Sequence, residues 1–149
     1  MDSDWANSSD RKSTSGFVFF IDSCLVVWCS KKQVTIATST SVAKYFAMYE
    51  ATTEAVCLCN LLDDLQIPQK GPTLLCEDNQ TAIKLAEDKT SHKRTKHIDV
   101  KYKYMHEEQE RGTICVVYVP SEENLVDFFT KLLAHVQFVD VCKRLRLHH

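Results

Sequence analysis

Ala43, Ala47, Ala51 and Ala55 recur at every fourth position, and Leu58, Leu62 and Leu65 continue along the same flank. A spacing of four keeps side chains on one side of an α-helix. The pattern predicts a helix over residues 39–65, with hydroxyl caps offered by Thr38, Ser39 and Thr40 and with Pro68 beyond its end. Small side chains along one ridge let such a helix sit close against a flat sheet. Only three glycines and three prolines interrupt the 149 residues, which favours long regular elements over many short turns.

The remaining elements fall into order around that helix. Residues 16–21 and 25–28 are β-branched and aromatic runs separated by Asp22, Ser23 and Cys24, which reads as a hairpin. A strand over 72–77 leads straight into Asp78, Asn79 and Gln80, and a short helix follows over 81–86. After a polar, basic loop over 89–96, a helix over 97–111 stops at Gly112. A strand over 113–119 ends at Pro120, and Ser121 with its following acids opens a helix running to about 133. A last apolar helix spans 136–145, so that 134–149 forms a terminal helix and tail. At this length the order predicts a single domain, 1–149, with one mixed α/β sheet and helices packed on it.

Charge and cysteines narrow the function classes. Eighteen basic and twenty acidic residues give a net charge of −2, so contact with nucleic acid would need a local patch. The longest apolar run, residues 24–29, is too short to cross a bilayer, and Asp2, Asp4 and Asn7 sit where a signal peptide needs apolar residues. A soluble, intracellular protein is the expectation. Seven cysteines make an odd count with no CxxC pair, which predicts buried free thiols in a reducing compartment rather than zinc or disulfides.

Three acidic positions stand out. Asp78 lies where a strand ends and a helix begins, a place where α/β proteins put ligand groups, although an Asp there equally serves as a helix cap. Asp127 sits inside the apolar run Leu125-Val126-Asp127-Phe128-Phe129, where an acid costs free energy unless it is paired or binds a cation. Asp2 and Asp4 share one face of an extended segment. Convergence of these acids would make a metal site. The loop carrying Lys89, His92, Lys93, Arg94, Lys96 and His97 is either a solvated cationic segment or a phosphate-contacting one.

These residues carry a resemblance. Asp2-Ser3-Asp4-Trp5-Ala6 followed by Asp10-Arg11-Lys12-Ser13-Thr14-Ser15-Gly16-Phe17 resembles the DADWAG and DRKSTSGY opening of the RNase H domain of copia-type retrotransposon polyproteins. Ser30-Lys31-Lys32-Gln33 is similar to that family's SSKKQ, and Cys76-Glu77-Asp78-Asn79-Gln80 to its CDNQ with one residue inserted or substituted before the Asp. Arg94-Thr95-Lys96-His97-Ile98-Asp99 matches RTKHID, and the YVPSEENLVDFFTK run from Tyr118 to Lys131 resembles YVPSEEQLADIFTK.

The resemblance implies an RNase H-like mixed sheet with helices on both faces, and two-metal hydrolysis of RNA in RNA–DNA hybrids. It places metal-binding catalytic acids at Asp2, Asp78 and Asp127, with two Mg²⁺ ions as cofactors. It also assigns phosphate contacts on a hybrid to Lys89, Lys93, Arg94 and Lys96, and a reverse transcriptase domain of the same polyprotein as a partner.

Two departures bear on activity. Where the family reads SSTEAEYMA, this chain has Ser39-Thr40-Ser41-Val42-Ala43-Lys44-Tyr45-Phe46-Ala47, so Lys44 stands at the metal-binding glutamate. Glu50 is about 600° further around the helix and Glu54 is ~15 Å along it, so neither replaces that ligand. At most one ion is then expected, and catalysis should be impaired. The family also has apolar residues before its first Asp, whereas only Met1 precedes Asp2. That predicts a stunted first, central strand and a truncated, degenerate domain. The alternatives are a non-catalytic module that binds hybrid or docks on reverse transcriptase, and an inert relic.

Overall fold

A computed structural model describes residues 1–4, 12–34, 36–37, 39–87, 96–130 and 135–145. Its longest element is α1 (Thr40–Asp64), on which Ala43, Ala47, Ala51 and Ala55 are all buried. Their methyl groups let α1 lie against the strands β1 (Asp2–Asp4) and β2 (Thr14–Ile21). Ser39 caps the helix, its hydroxyl accepting from the Val42 N–H at 3.3 Å and so satisfying one first-turn donor. Beyond the other end Gln66 takes a left-handed φ of 61°, which turns the chain away before Pro68.

β2 and β3 (Cys24–Lys32) form the expected hairpin, turned at Asp22 with φ 57°. β1 pairs antiparallel with β2, Asp2 opposite Gly16. β4 (Thr73–Glu77) and β5 (Ile114–Tyr118) run parallel, which requires a crossover; α2 (Gln80–Glu87) and α3 (Lys96–Glu110) supply it. Gly112, at φ 75°, turns the chain from α3 into β5. The period of two along β2 separates its faces. Phe17 and Phe19 join Tyr45, Met48, Leu75 and Ile114 in the core under α1. Gly16 faces the other way, where a Cβ would lie 3.1 Å from side-chain atoms of Val126 and Thr130. Helices therefore cover both faces, as in an RNase H-like α/β arrangement, and the first strand is short.

The single sheet expected from sequence is divided into two ladders, β1-β2-β3 and β4-β5. β1 has three residues, too few to bridge its neighbours along their length. The Met1 amino group donates to the Cys76 carbonyl at 3.1 Å, joining the ladders at one point. Alongside, β2 and β4 flank a cavity of about 570 Å³ lined by Met1, Phe17, Phe19, Leu74, Leu75 and Val126.

Two further expectations are corrected. The helix foreseen from Ser121 to 133 is instead a 3₁₀ turn (Ser121–Glu123), an extended Asn124 (φ −75°, ψ 97°) and a short α4 (Asp127–Thr130). The side chain of Asn124 explains the break: its amide donates to the Met1 carbonyl at 3.0 Å and its oxygen accepts from the Val126 N–H at 3.3 Å. Residues 131–134 lie outside the described residues; the terminal helix α5 spans His135–Arg144. The cysteines are free but not buried: Cys24, Cys57 and Cys76 are exposed, and Cys29, Cys59, Cys115 and Cys142 are half-buried. Among the described residues no helix is long and apolar enough to cross a membrane.

Candidate functional site

The end of β4, the start of β1 and the first turn of α1 meet at one point. Lys44 lies one helical position past Ala43, so the ridge that seats α1 on the strands also delivers the lysine to their ends. Its Nζ is 2.7 Å from Asp2 Oδ1, donates to Asp78 Oδ1, and is 3.8 Å from Glu77 Oε1. All four side chains are nearly or fully buried, Lys44 at 11% exposure and Glu77 at none. Two hydroxyls from the opposite flank complete the cluster: Thr130 donates to Asp2 Oδ2 at 2.6 Å, and Ser121 donates to Asp78 Oδ2 at 2.7 Å.

Electrostatics follow from this crowding. Burial would pull the Lys44 ammonium down, but hydrogen bonds and charge from Asp2 and Asp78 override it and hold its pKa above the ordinary range. Burial likewise pushes Asp78 up, but the hydrogen bonds from Lys44 and Ser121 win and its carboxyl is held low. Glu77 goes the other way: burial raises it to about 8 against the pull of Lys44, so it is largely protonated at neutral pH. Its Oε1 accepts from the Asn79 N–H at 3.0 Å, while Oε2 is buried without a hydrogen-bond partner among the described residues.

The two readings of Asp78 are resolved by its neighbour. Asn79 Oδ1 accepts from the Ala82 N–H at 3.0 Å, so Asn79 caps α2 and leaves Asp78 to the cluster. Glu50 pairs with Lys31 at 3.3 Å, away from the site, as its angle on the helix requires. Asp127 opens α4, the helix whose Thr130 reaches Asp2, but its side chain lies outside the described residues, as does that of Lys96 at the start of α3. Lys89, Lys93 and Arg94 also fall outside them.

Sequence reasoning passed over Glu77, Ser121, Thr130 and Gln33. Gln33 is buried and donates from Nε2 to Ser15 Oγ at 2.7 Å and to the Ala43 carbonyl at 2.8 Å, tying the hairpin end to α1 beside Lys44. A signal for Glu77 was present in its parity with Leu75, since alternate residues of β4 share a face and Leu75 is core.

The residues present do not fit a divalent ion. Mg²⁺ takes about six oxygens at roughly 2.0–2.1 Å, each contributing a lone pair, whereas the point between Asp2 and Asp78 is filled by a cationic donor. Among the described residues no group of three His, Cys, Asp or Glu side chains is disposed to hold a metal ion.

No protein-family model matches the chain. It is similar to the retrovirus-related Pol polyprotein from transposon TNT 1-94 of Nicotiana tabacum, 36% identical over 145 residues, which is 97% of this chain and 11% of the relative. The Pol polyprotein from transposon RE2 of Arabidopsis thaliana is 30% identical over the same share of the chain and 10% of its own length. A shorter match, 48% identical over 58 residues, joins 38% of the chain to 41% of secreted RxLR effector protein 161 of Plasmopara viticola. Homologues of the chain are thus retrovirus-related Pol polyproteins from transposons, of which it spans about a tenth.

Proposed function

We propose that this chain is an RNase H-like region of a retrotransposon polyprotein that no longer cleaves the RNA strand of RNA–DNA hybrids. The observation that carries the reading is Lys44 Nζ seated between Asp2 and Asp78. Two-metal phosphodiester hydrolysis needs a pair of cations about 4 Å apart, each with open positions for the attacking and leaving oxygens. An ammonium offers donors and no open coordination position, and it cannot lower the pKa of a water as a metal does. A second Mg²⁺ beside it would meet like-charge repulsion in a largely buried cluster. Hybrid binding through phosphates is separable from cleavage, and Lys89, Lys93, Arg94 and Lys96 are the residues to which it is assigned.

The test uses an end-labelled RNA–DNA hybrid with Mg²⁺ or Mn²⁺. No cleavage above that of the Asp78→Asn variant is expected from the native chain. Metal-dependent cleavage by the native chain that Asp78→Asn abolishes would show the reading to be wrong. Binding of the same hybrid across a salt series then separates a hybrid-binding module, whose affinity falls steeply with salt, from an inert chain.

A further inference from the structure

Lys44 touches groups from both ladders. Asp2 belongs to β1 in the first ladder, Glu77 ends β4 in the second and Asp78 follows it directly, while Lys44 itself comes from α1. Thr130 of α4 and Ser121 of the 3₁₀ turn fasten the outer carboxylate oxygens. This is also where the ladders are joined by the Met1–Cys76 hydrogen bond, next to the cavity that separates them further along.

We propose that Lys44 is the permanent cation of this cluster, a tethered ammonium that clamps the two ladders together in the position a divalent ion would otherwise occupy. The proposal deepens the non-cleaving reading of the same site and rests on it. A lysine suits the role because its ammonium is a compact charge with three donors on a long stem. Being covalently attached, it needs no ion drawn from solution, so the clamp is independent of divalent-ion concentration. Its removal alone leaves two largely buried carboxylates without the ammonium that balances their charge, which is far costlier than replacing the whole group with neutral side chains. That asymmetry makes the clamp testable.

The experiment is thermal unfolding of the full chain at neutral pH, with and without MgCl₂ at matched ionic strength. The native Tm is expected not to move with Mg²⁺. Lys44→Met should lower it by roughly 6–20 °C, the loss of one partner of a buried pair in a chain of this size. Adding Asp2→Asn and Asp78→Asn to Lys44→Met should regain at least half of that loss. In Lys44→Ala, ethylammonium should raise the Tm where tetramethylammonium, which has no N–H donors, does not. A saturable rise of the native Tm with Mg²⁺ that Asp78→Asn abolishes would overturn the proposal, and so would Lys44→Met unfolding at the native temperature. Should Lys44→Met fail to fold, the triple variant and the native Mg²⁺ titration decide. A chain stabilised by Mg²⁺ yet unable to cleave hybrid would remove the clamp and leave the functional reading standing; cleavage by a chain indifferent to added Mg²⁺ in unfolding would do the reverse.

Discussion

Glu77, Asp78 and Asn79 are consecutive, yet each is set to a different task by what it meets. Asn79 caps a helix, Asp78 pairs with an ammonium, and Glu77 is turned into the core. Glu77 gives the protein a distinctive pH dependence. Its folded pKa of about 8 lies above the ordinary 4.5, so between those values the folded state keeps a proton that the unfolded chain has released. Stability therefore falls as pH rises through this window, by up to about 1.4 kcal/mol per unit. Asp78 acts in the opposite sense: its pKa is lowered from 3.8, so its contribution is present above that value and is lost as pH falls below it. From pH 5 to pH 8 the Tm of the native chain is expected to fall relative to that of Glu77→Gln, which lacks this titration. Parallel profiles for the two proteins would contradict this account.

At the scale of elements, close approach depends on absent atoms. Gly16 is the third residue of β2, opposite Asp2, and α4 comes down directly on it. Gly16→Val would force α4 outward, separate Thr130 from Asp2, and destabilise the fold by about 1–3 kcal/mol, measurable as a lower denaturation midpoint. An unchanged midpoint would mean that α4 does not need its present seat. The break before α4 has a similar lesson. The acids after Ser121 favour a helix locally, but Asn124 finds the Met1 carbonyl, far along the chain, and an extended residue results. Elements governed by periodic burial, such as α1 and the hairpin, were legible from their own residues; this one was not, because its deciding partner is remote.

For the molecule as a whole, the open feature is the seam between the ladders. The β2 residues beyond Gly16 and the β4 residues before Cys76 present edges that are not paired to each other across the cavity. Unpaired edges are a standing cost in protection and stability. A designed extension of four or five β-branched residues ahead of Met1, rising about 3.3 Å each, would run along both edges. It should raise the Tm and slow amide exchange at Val18 and Leu74, whose N–H groups face the seam. If exchange at these amides stays unchanged in the extended chain, the seam does not accept a strand.

The sequence by itself determined the order of most elements and the helix that must lie close to a sheet. It could do so because burial period, capping and turn chemistry act between residues a few positions apart. Only the tertiary structure decided that Lys44 reaches Asp2 and Asp78 together, that Glu77 rather than its neighbours loses water, and that the strands part into two ladders. Those outcomes depend on desolvation and on contacts between segments separated by tens of residues, such as Lys44 and Asp78, 34 positions apart. No local spacing encodes them. They follow from how closely α1, seated on its alanines, brings one ammonium to the ends of two strands.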